Sequence, residues 1–164
     1  MRWIRGVMLF VAGTAFGIFA AQPSASPQEK SAGLKLNHFG IYVKDFDESM
    51  DFYTRTMGFP VAFSLKDKDG KPNLAYLQIS RETFLELAPA TAERPVGFSH
   101  IGLWADDLNK TVTLLRERGV KLEDPHAGGT KAPLTNMIEP SGVRLELLEY
   151  PPKSLQRKAI DSWK

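Results

Sequence analysis

Asn37-His38-Phe39-Gly40-Ile41 is answered, after a step of roughly 60 residues, by Ser99-His100-Ile101-Gly102-Leu103, and this repetition decides the fold. Working outward, each segment leads through an acidic turn, Asp45 in one copy and Asp106-Asp107 in the other, into a stretch of helical spacing. Phe46, Met50, Tyr53 and Met57 fall on one face of the first helix, and Leu108, Val112, Leu115 and Arg118 mark the second. Gly58 and Gly119 stand where the two runs end, as helix-terminating glycines do. Three short β-patterned runs follow each helix, the last being Thr83-Phe84-Leu85-Glu86-Leu87 in one copy and Val143-Arg144-Leu145-Glu146-Leu147 in the other. Asp69-Gly70 and Pro140-Ser141-Gly142 supply turns between strands. The order is strand, helix, three strands, twice over: an α+β chain of two βαβββ modules at residues 34–90 and 96–150. One helix covers only one face of its sheet, so the modules are expected to associate as two curved mixed sheets with a cleft between them.

Strand alternation then says which residues face that cleft. Phe39, Ile41 and Val43 form the apolar set under the first helix, which turns His38, Gly40 and Tyr42 the other way. The same count sends Ile101, Leu103 and Ala105 to the second helix and His100, Gly102 and Trp104 to the cleft. Leu85 and Leu87 flank Glu86 on the core side, as Leu145 and Leu147 flank Glu146. His38, Glu86, His100 and Glu146 therefore point to one place. A carboxylate on the inner face of a strand is costly unless compensated, and a divalent cation compensates both acids while using the imidazoles as neutral donors. Two His and two carboxylates suit Zn, Ni, Fe, Mn or Co. The third histidine, His126, lies in a loop with no counterpart in the first copy and reads as a solvated loop residue or as part of a lid reaching the substrate.

The bulk properties are consistent with one globular domain: 164 residues, 43% apolar, and a net charge of +2 with the basic residues scattered. No basic stripe with interleaved aromatics exists, so no nucleic-acid partner is expected. The absence of cysteine excludes a disulfide framework, a thiolate metal site and a cysteine nucleophile. Two arginines before an uncharged apolar run from Val7 to Ala21 make residues 1–26 a signal peptide or an N-terminal anchor, and export to the periplasm or the exterior is expected. Residues 27–33 continue a Pro-, Ser- and Ala-rich spacer. The tail at 151–164, with Leu155, Ile160 and Trp163 among basic residues, is expected to be loose or a short helix lying on the domain or on a partner.

The stretch His38 through Phe59, with Ile41, Val43, Ser49, Phe52-Tyr53 and Met57-Gly58-Phe59, together with Glu139-Pro140-Ser141-Gly142-Val143-Arg144-Leu145-Glu146, resembles the vicinal oxygen chelate superfamily. That superfamily includes glyoxalase I, extradiol dioxygenases, methylmalonyl-CoA epimerase and bleomycin-resistance proteins, and the resemblance covers roughly Leu34 to Tyr150. The order His38, Glu86, His100, Glu146 matches the glyoxalase I-like ligand set. The resemblance implies a metal-dependent lyase or isomerase that chelates two vicinal oxygens of a small metabolite, with Glu146, or Glu86 in a second role, moving a proton. It implies a homodimer as well. An extradiol-type oxygenase and a non-catalytic binding or resistance protein are the alternatives. Export argues against glutathione as cosubstrate, for whose carboxylates Arg94 and Arg81 are the available basic residues. Phe63, Tyr76, Phe98, Trp104 and Met137 are the residues available for an apolar or aromatic pocket, although such residues are core filling more often than not.

Overall fold

Each half of the chain begins with a strand at the middle of the structure. A computed structural model describes Ser31 to Lys164, so the expected signal segment and the start of the spacer lie outside the described residues. In the first half β1 (Lys35–Val43) leads into α1 (Phe46–Asp51), whose last turn continues as a π-helical turn at Phe52–Thr56. Then come β2 (Val61–Lys66), β3 (Pro72–Ser80) and β4 (Thr83–Pro89). The second half repeats the pattern with β5 (Gly97–Trp104), α2 (Leu108–Glu117), β6 (His126–Ala127), β7 (Pro133–Ile138) and β8 (Arg144–Leu148). A final helix, α3 (Leu155–Ser162), follows. Among the described residues no helix is long and apolar enough to cross a membrane.

The two curved mixed sheets expected of the modules meet at β1 and β5. β1 pairs parallel with β4 on one side and antiparallel with β5 on the other, and β5 pairs parallel with β8. The halves thus join edge to edge into one curled mixed eight-stranded sheet, ordered β2-β3-β4-β1-β5-β8-β7-β6. That order is unchanged when the halves are exchanged, so an internal two-fold axis runs between β1 and β5. Joining β1 to β5 pairs the backbone of two strands that would otherwise be open edges.

Local chemistry explains the helices. Asp45 and Asp107 cap them, their side chains accepting from Glu48 N and Lys110 N. Gly58 and Gly119 follow the last turns with φ of 75° and 82°, the left-handed conformation that ends a helix. α1 packs Phe46, Met50 and Tyr53 on Val43, Leu77, Leu85 and Leu87, while α2 packs Leu108, Val112 and Leu115 on Ala105 and Leu147. Met57, expected on the same face, is half exposed and Phe59 packs in its stead. The cause is the π turn, closed by Met57 N donating to Phe52 O, which widens the helix and rotates Met57 off the apolar stripe.

The inner face of the sheet carries a third core, made by Tyr76, Phe84, Trp104, Leu148 and Tyr150 beneath Ala159 and Ile160 of α3. α3 begins with Ser154 as cap and reaches back to the first half, where Gln78 Nε2 donates to Ala159 O at 3.3 Å. Arg157 lies over the Trp104 ring at 4.9 Å. Phe63, Tyr76 and Trp104 thus pack on the inner face, with the Tyr76 hydroxyl reaching His38, while Met137 packs toward the core under α2 and also lines a cavity with Leu122 and Ile138. Phe98 is exposed because a register shift at Ser99 pairs it with Ile41, turning it to the outer face.

Candidate metal centre

The four residues singled out by parity come from the four central strands: His38 from β1, Glu86 from β4, His100 from β5 and Glu146 from β8. Registers interleave them, for Gly40 lies opposite both Glu86 and His100, and Gly102 lies opposite both His38 and Glu146. Each histidine therefore crosses a glycine. A Cβ on Gly102 would stand 1.9 Å from His38 Cε1. The His-x-Gly motif is a steric requirement: each imidazole fills the volume that a side chain on the facing strand would take.

Both imidazoles are fully buried, and the Glu86 and Glu146 side chains are only 14% and 12% exposed. His38 Nε2 lies 2.9 Å from His100 Nε2, 3.6 Å from Glu86 Oε2 and 3.4 Å from Glu146 Oε2. His100 Nε2 is 3.8 Å from each of the same carboxylate oxygens. The four donors all lie within 4.8 Å of one another. Four N and O donors around one ion at metal–ligand distances near 2.1 Å would be separated by roughly 3.4 Å in a tetrahedron, so the residues fit a divalent ion.

Each histidine is held by the residue before it, and this was not anticipated. Register shifts leave Asn37 and Ser99 without partners across the β1–β5 ladder, and both turn toward the following imidazole. Asn37 Oδ1 is 3.1 Å from His38 Nδ1, and Ser99 Oγ is 2.9 Å from His100 Nδ1. Asn37 Nδ2 donates to Glu82 O at 2.8 Å and the Tyr150 hydroxyl donates to Asn37 Oδ1, which fixes the amide orientation. Asn37 Oδ1 must then accept from His38 Nδ1–H, leaving the Nε2 lone pair aimed at the centre.

Electrostatics follow from burial. Burial, then the neighbouring His38, push the His100 imidazole down to about 3, so it is a neutral donor. Burial raises Glu86. Burial also pushes Glu146 upward, but His38, His100 and Arg144 together outweigh it and leave its carboxyl below the ordinary value. Two acids in a largely buried site beside the neutral His100 imidazole carry negative charge that a divalent cation would relieve.

Two more side chains adjoin the cluster. Tyr76, opposite Glu86 on β3, brings its hydroxyl within 3.4 Å of His38 Nε2, and burial followed by the nearby Glu86 holds the phenol well above its ordinary value. Arg144, two residues before Glu146, contacts His100 Nδ1 at 2.7 Å. Tyr76 is expected from sequence only as a pocket-lining aromatic and Arg144 only as part of the closing turn motif; their inner-face parity on neighbouring strands was the available signal for a place at the centre. His126 forms edge strand β6 with Leu134 as partner, is exposed, and stands outside the donor cluster; by topology its counterpart is β2. Arg94 lies over the Tyr42 ring at 5.5 Å and Arg81 sits in the β3–β4 turn.

Lactoylglutathione lyase of Schizosaccharomyces pombe is 28% identical to this chain over 141 residues, covering 70% of the chain and 47% of that protein. Lactoylglutathione lyase of Escherichia coli O157:H7 is 25% identical over 126 residues, covering 71% and 93%. The chain spans less than half the length of the yeast and plant relatives it matches. Methylmalonyl-CoA epimerase from Mycobacterium tuberculosis shares the fold with a TM-score of 0.62 at 25% identity, over 72% of this chain and 89% of that one. A family model, Glyoxalase/Bleomycin resistance protein/Dioxygenase superfamily, matches residues 35–147, from the first residue of β1 into β8, and the chain belongs to that superfamily.

Proposed function

We propose that this chain is a divalent-metal-dependent lyase or isomerase of glyoxalase I-like type, acting on a small oxygenated metabolite. The observation that carries the reading is the convergence of two buried imidazoles and two largely buried carboxylates within 4.8 Å. An ion bound there supplies Lewis-acid polarisation of two adjacent substrate oxygens. The chain's residues do the rest. Asn37 and Ser99 orient the imidazoles, and the inner-face core under α3 keeps water from one end of the site. Glu86 and Glu146 flank the histidine pair from β4 and β8, so one carboxylate stays a ligand while the other accepts or returns a substrate proton.

Glutathione is not the cosubstrate favoured by this reading. Arg81 and Arg94, the basic residues considered for its carboxylates, do not contact the four donors. Export by the N-terminal segment and assembly as a homodimer complete the proposal, to be checked by cell fractionation and by sedimentation.

The test is elemental analysis of protein purified without chelators, followed by proton NMR in D2O of α-hydroxy and α-oxo carbonyl compounds. One ion per chain and metal-dependent exchange of the carbon-bound proton are expected, with both lost in Glu86→Ala and Glu146→Ala. An ion kept by Glu86→Ala, with oxygen consumed on addition of catechols, would move the assignment to ring cleavage.

A further inference from the structure

Exchange of the two halves about the internal axis maps His38 on His100, Gly40 on Gly102 and Glu86 on Glu146. Two residues before the acids, the match fails: the first half has Phe84, fully buried, and the second has Arg144. Resting on the metal-centred reading above, we propose that Arg144 is the specificity-determining residue of the site, binding the free acidic group of a substrate that chelates the ion through two other oxygens.

The guanidinium is held by neutral groups. Nη1 donates to Asn136 Oδ1 at 3.0 Å, and Nη2 approaches Ser99 Oγ at 3.1 Å and His100 Nδ1 at 2.7 Å. Its carboxylate neighbour, Glu146 Oε1, is 3.8 Å away, too long for a hydrogen bond. An arginine beside a catalytic cluster without a hydrogen-bonded carboxylate is a fork awaiting one.

The contact with His100 is incompatible with a bound ion. When Nε2 of an uncharged imidazole gives its lone pair to a metal, Nδ1 carries the hydrogen. Nδ1–H and the guanidinium are then two donors facing each other at 2.7 Å. Ser99 Oγ can accept from Nδ1, so the histidine keeps a partner while the arginine shifts away. Its side chain is 32% exposed and has room to do so. A cavity of about 640 Å3 adjoins it beside the Asn136–Ile138 end of β7, lined by Arg144, Asn136, Met137, Ile138, Lys121, Leu122 and Glu123. With His100 Nδ1 carrying the hydrogen, Arg144 would be free to turn toward this cavity. The substrate class is a 2-hydroxy or 2-oxo acid bearing a second acidic group.

Calorimetric titration of the Zn2+-loaded full chain with L-malate and with L-lactate tests this, since both present a hydroxyl beside a carboxylate and only malate has a second acid. Malate should bind at least about tenfold more tightly, the ordinary worth of a charge-assisted contact. In Arg144→Gln the preference for malate over lactate should vanish, and Arg144→Lys should restore part of it. Equal binding of the two acids to the wild-type protein, binding of neither, or a parallel loss of both in Arg144→Gln overturns the proposal. A wild-type chain that binds no Zn2+ brings down the metal-centred reading itself. Zn2+ and lactate binding without a malate preference brings down this inference alone.

Discussion

Gly40 on β1 faces His100 on β5 so closely that a Cβ on the glycine would lie 2.2 Å from His100 Cε1. The histidine is thereby pinned between strands without any covalent help. Gly40→Ala or Gly102→Ala should displace the facing imidazole, costing about 1–3 kcal/mol of stability through overpacking. Zn2+ affinity, read by competition with a chromogenic chelator, should fall well beyond what the stability loss explains. An alanine variant with wild-type affinity would show that the imidazole finds the centre by another path.

Asn37 and Tyr150 separate orientation from ligation. Asn37→Ala removes the acceptor for His38 Nδ1–H and should lower metal affinity by about 10- to 100-fold, the usual cost of losing a ligand's hydrogen-bonded support. Tyr150→Phe keeps that acceptor and loses only the hydroxyl donor to Asn37, so its effect should be much smaller. Calorimetry on the two variants orders them.

Acid sensitivity of the metal-free protein has a calculable sign. His100 titrates near 3 in the folded chain against an ordinary 6.5, because burial and then His38 disfavour its charge. The unfolded chain therefore takes up a proton that the folded chain refuses: the stability contribution is intact above 6.5 and drains away as pH falls toward 3, at no more than about 1.4 kcal/mol per pH unit. Glu86, raised by burial, acts in the opposite sense, favouring the folded state below its ordinary 4.5 and losing that benefit as pH rises. Comparing urea unfolding at pH 7 and pH 4.5 for wild type and His100→Gln cancels the common part. The variant should lose less stability between the two pH values.

α3 is a structural element of the inner face. Ile160, 2% exposed, packs on that core, so Ile160→Ala should cost about 2–4 kcal/mol by denaturant unfolding. Metal stoichiometry at saturating Zn2+ should be unchanged.

Much of this architecture is legible in the chain because it is written twice. Periodicity located the elements, and parity aimed the four donors inward, since every strand that carries them is flanked by helix-facing aliphatics such as Leu85 and Leu147. The failures are local and have local causes. A π turn is invisible to a 3.6-residue pattern, so Met57 was placed on the wrong face. The bulges at Asn37 and Ser99 are invisible to strict alternation, which hid both the orienting contacts and the outward turn of Phe98. What covers Tyr76 and Trp104 was obscured because α3, which packs on them, lies outside the repeat.

The mismatch of Phe84 with Arg144 has a stereochemical consequence. Were both halves alike at that position, a molecule straddling the axis with two oxygens would have two equivalent poses, and opposite faces of its reacting carbon would meet the same carboxylate. With a phenyl ring on one flank and a cation on the other, the poses become unequal in energy. A twofold arrangement of donors is thus made asymmetric at its flanks, and turnover at a prochiral centre would give a single enantiomer.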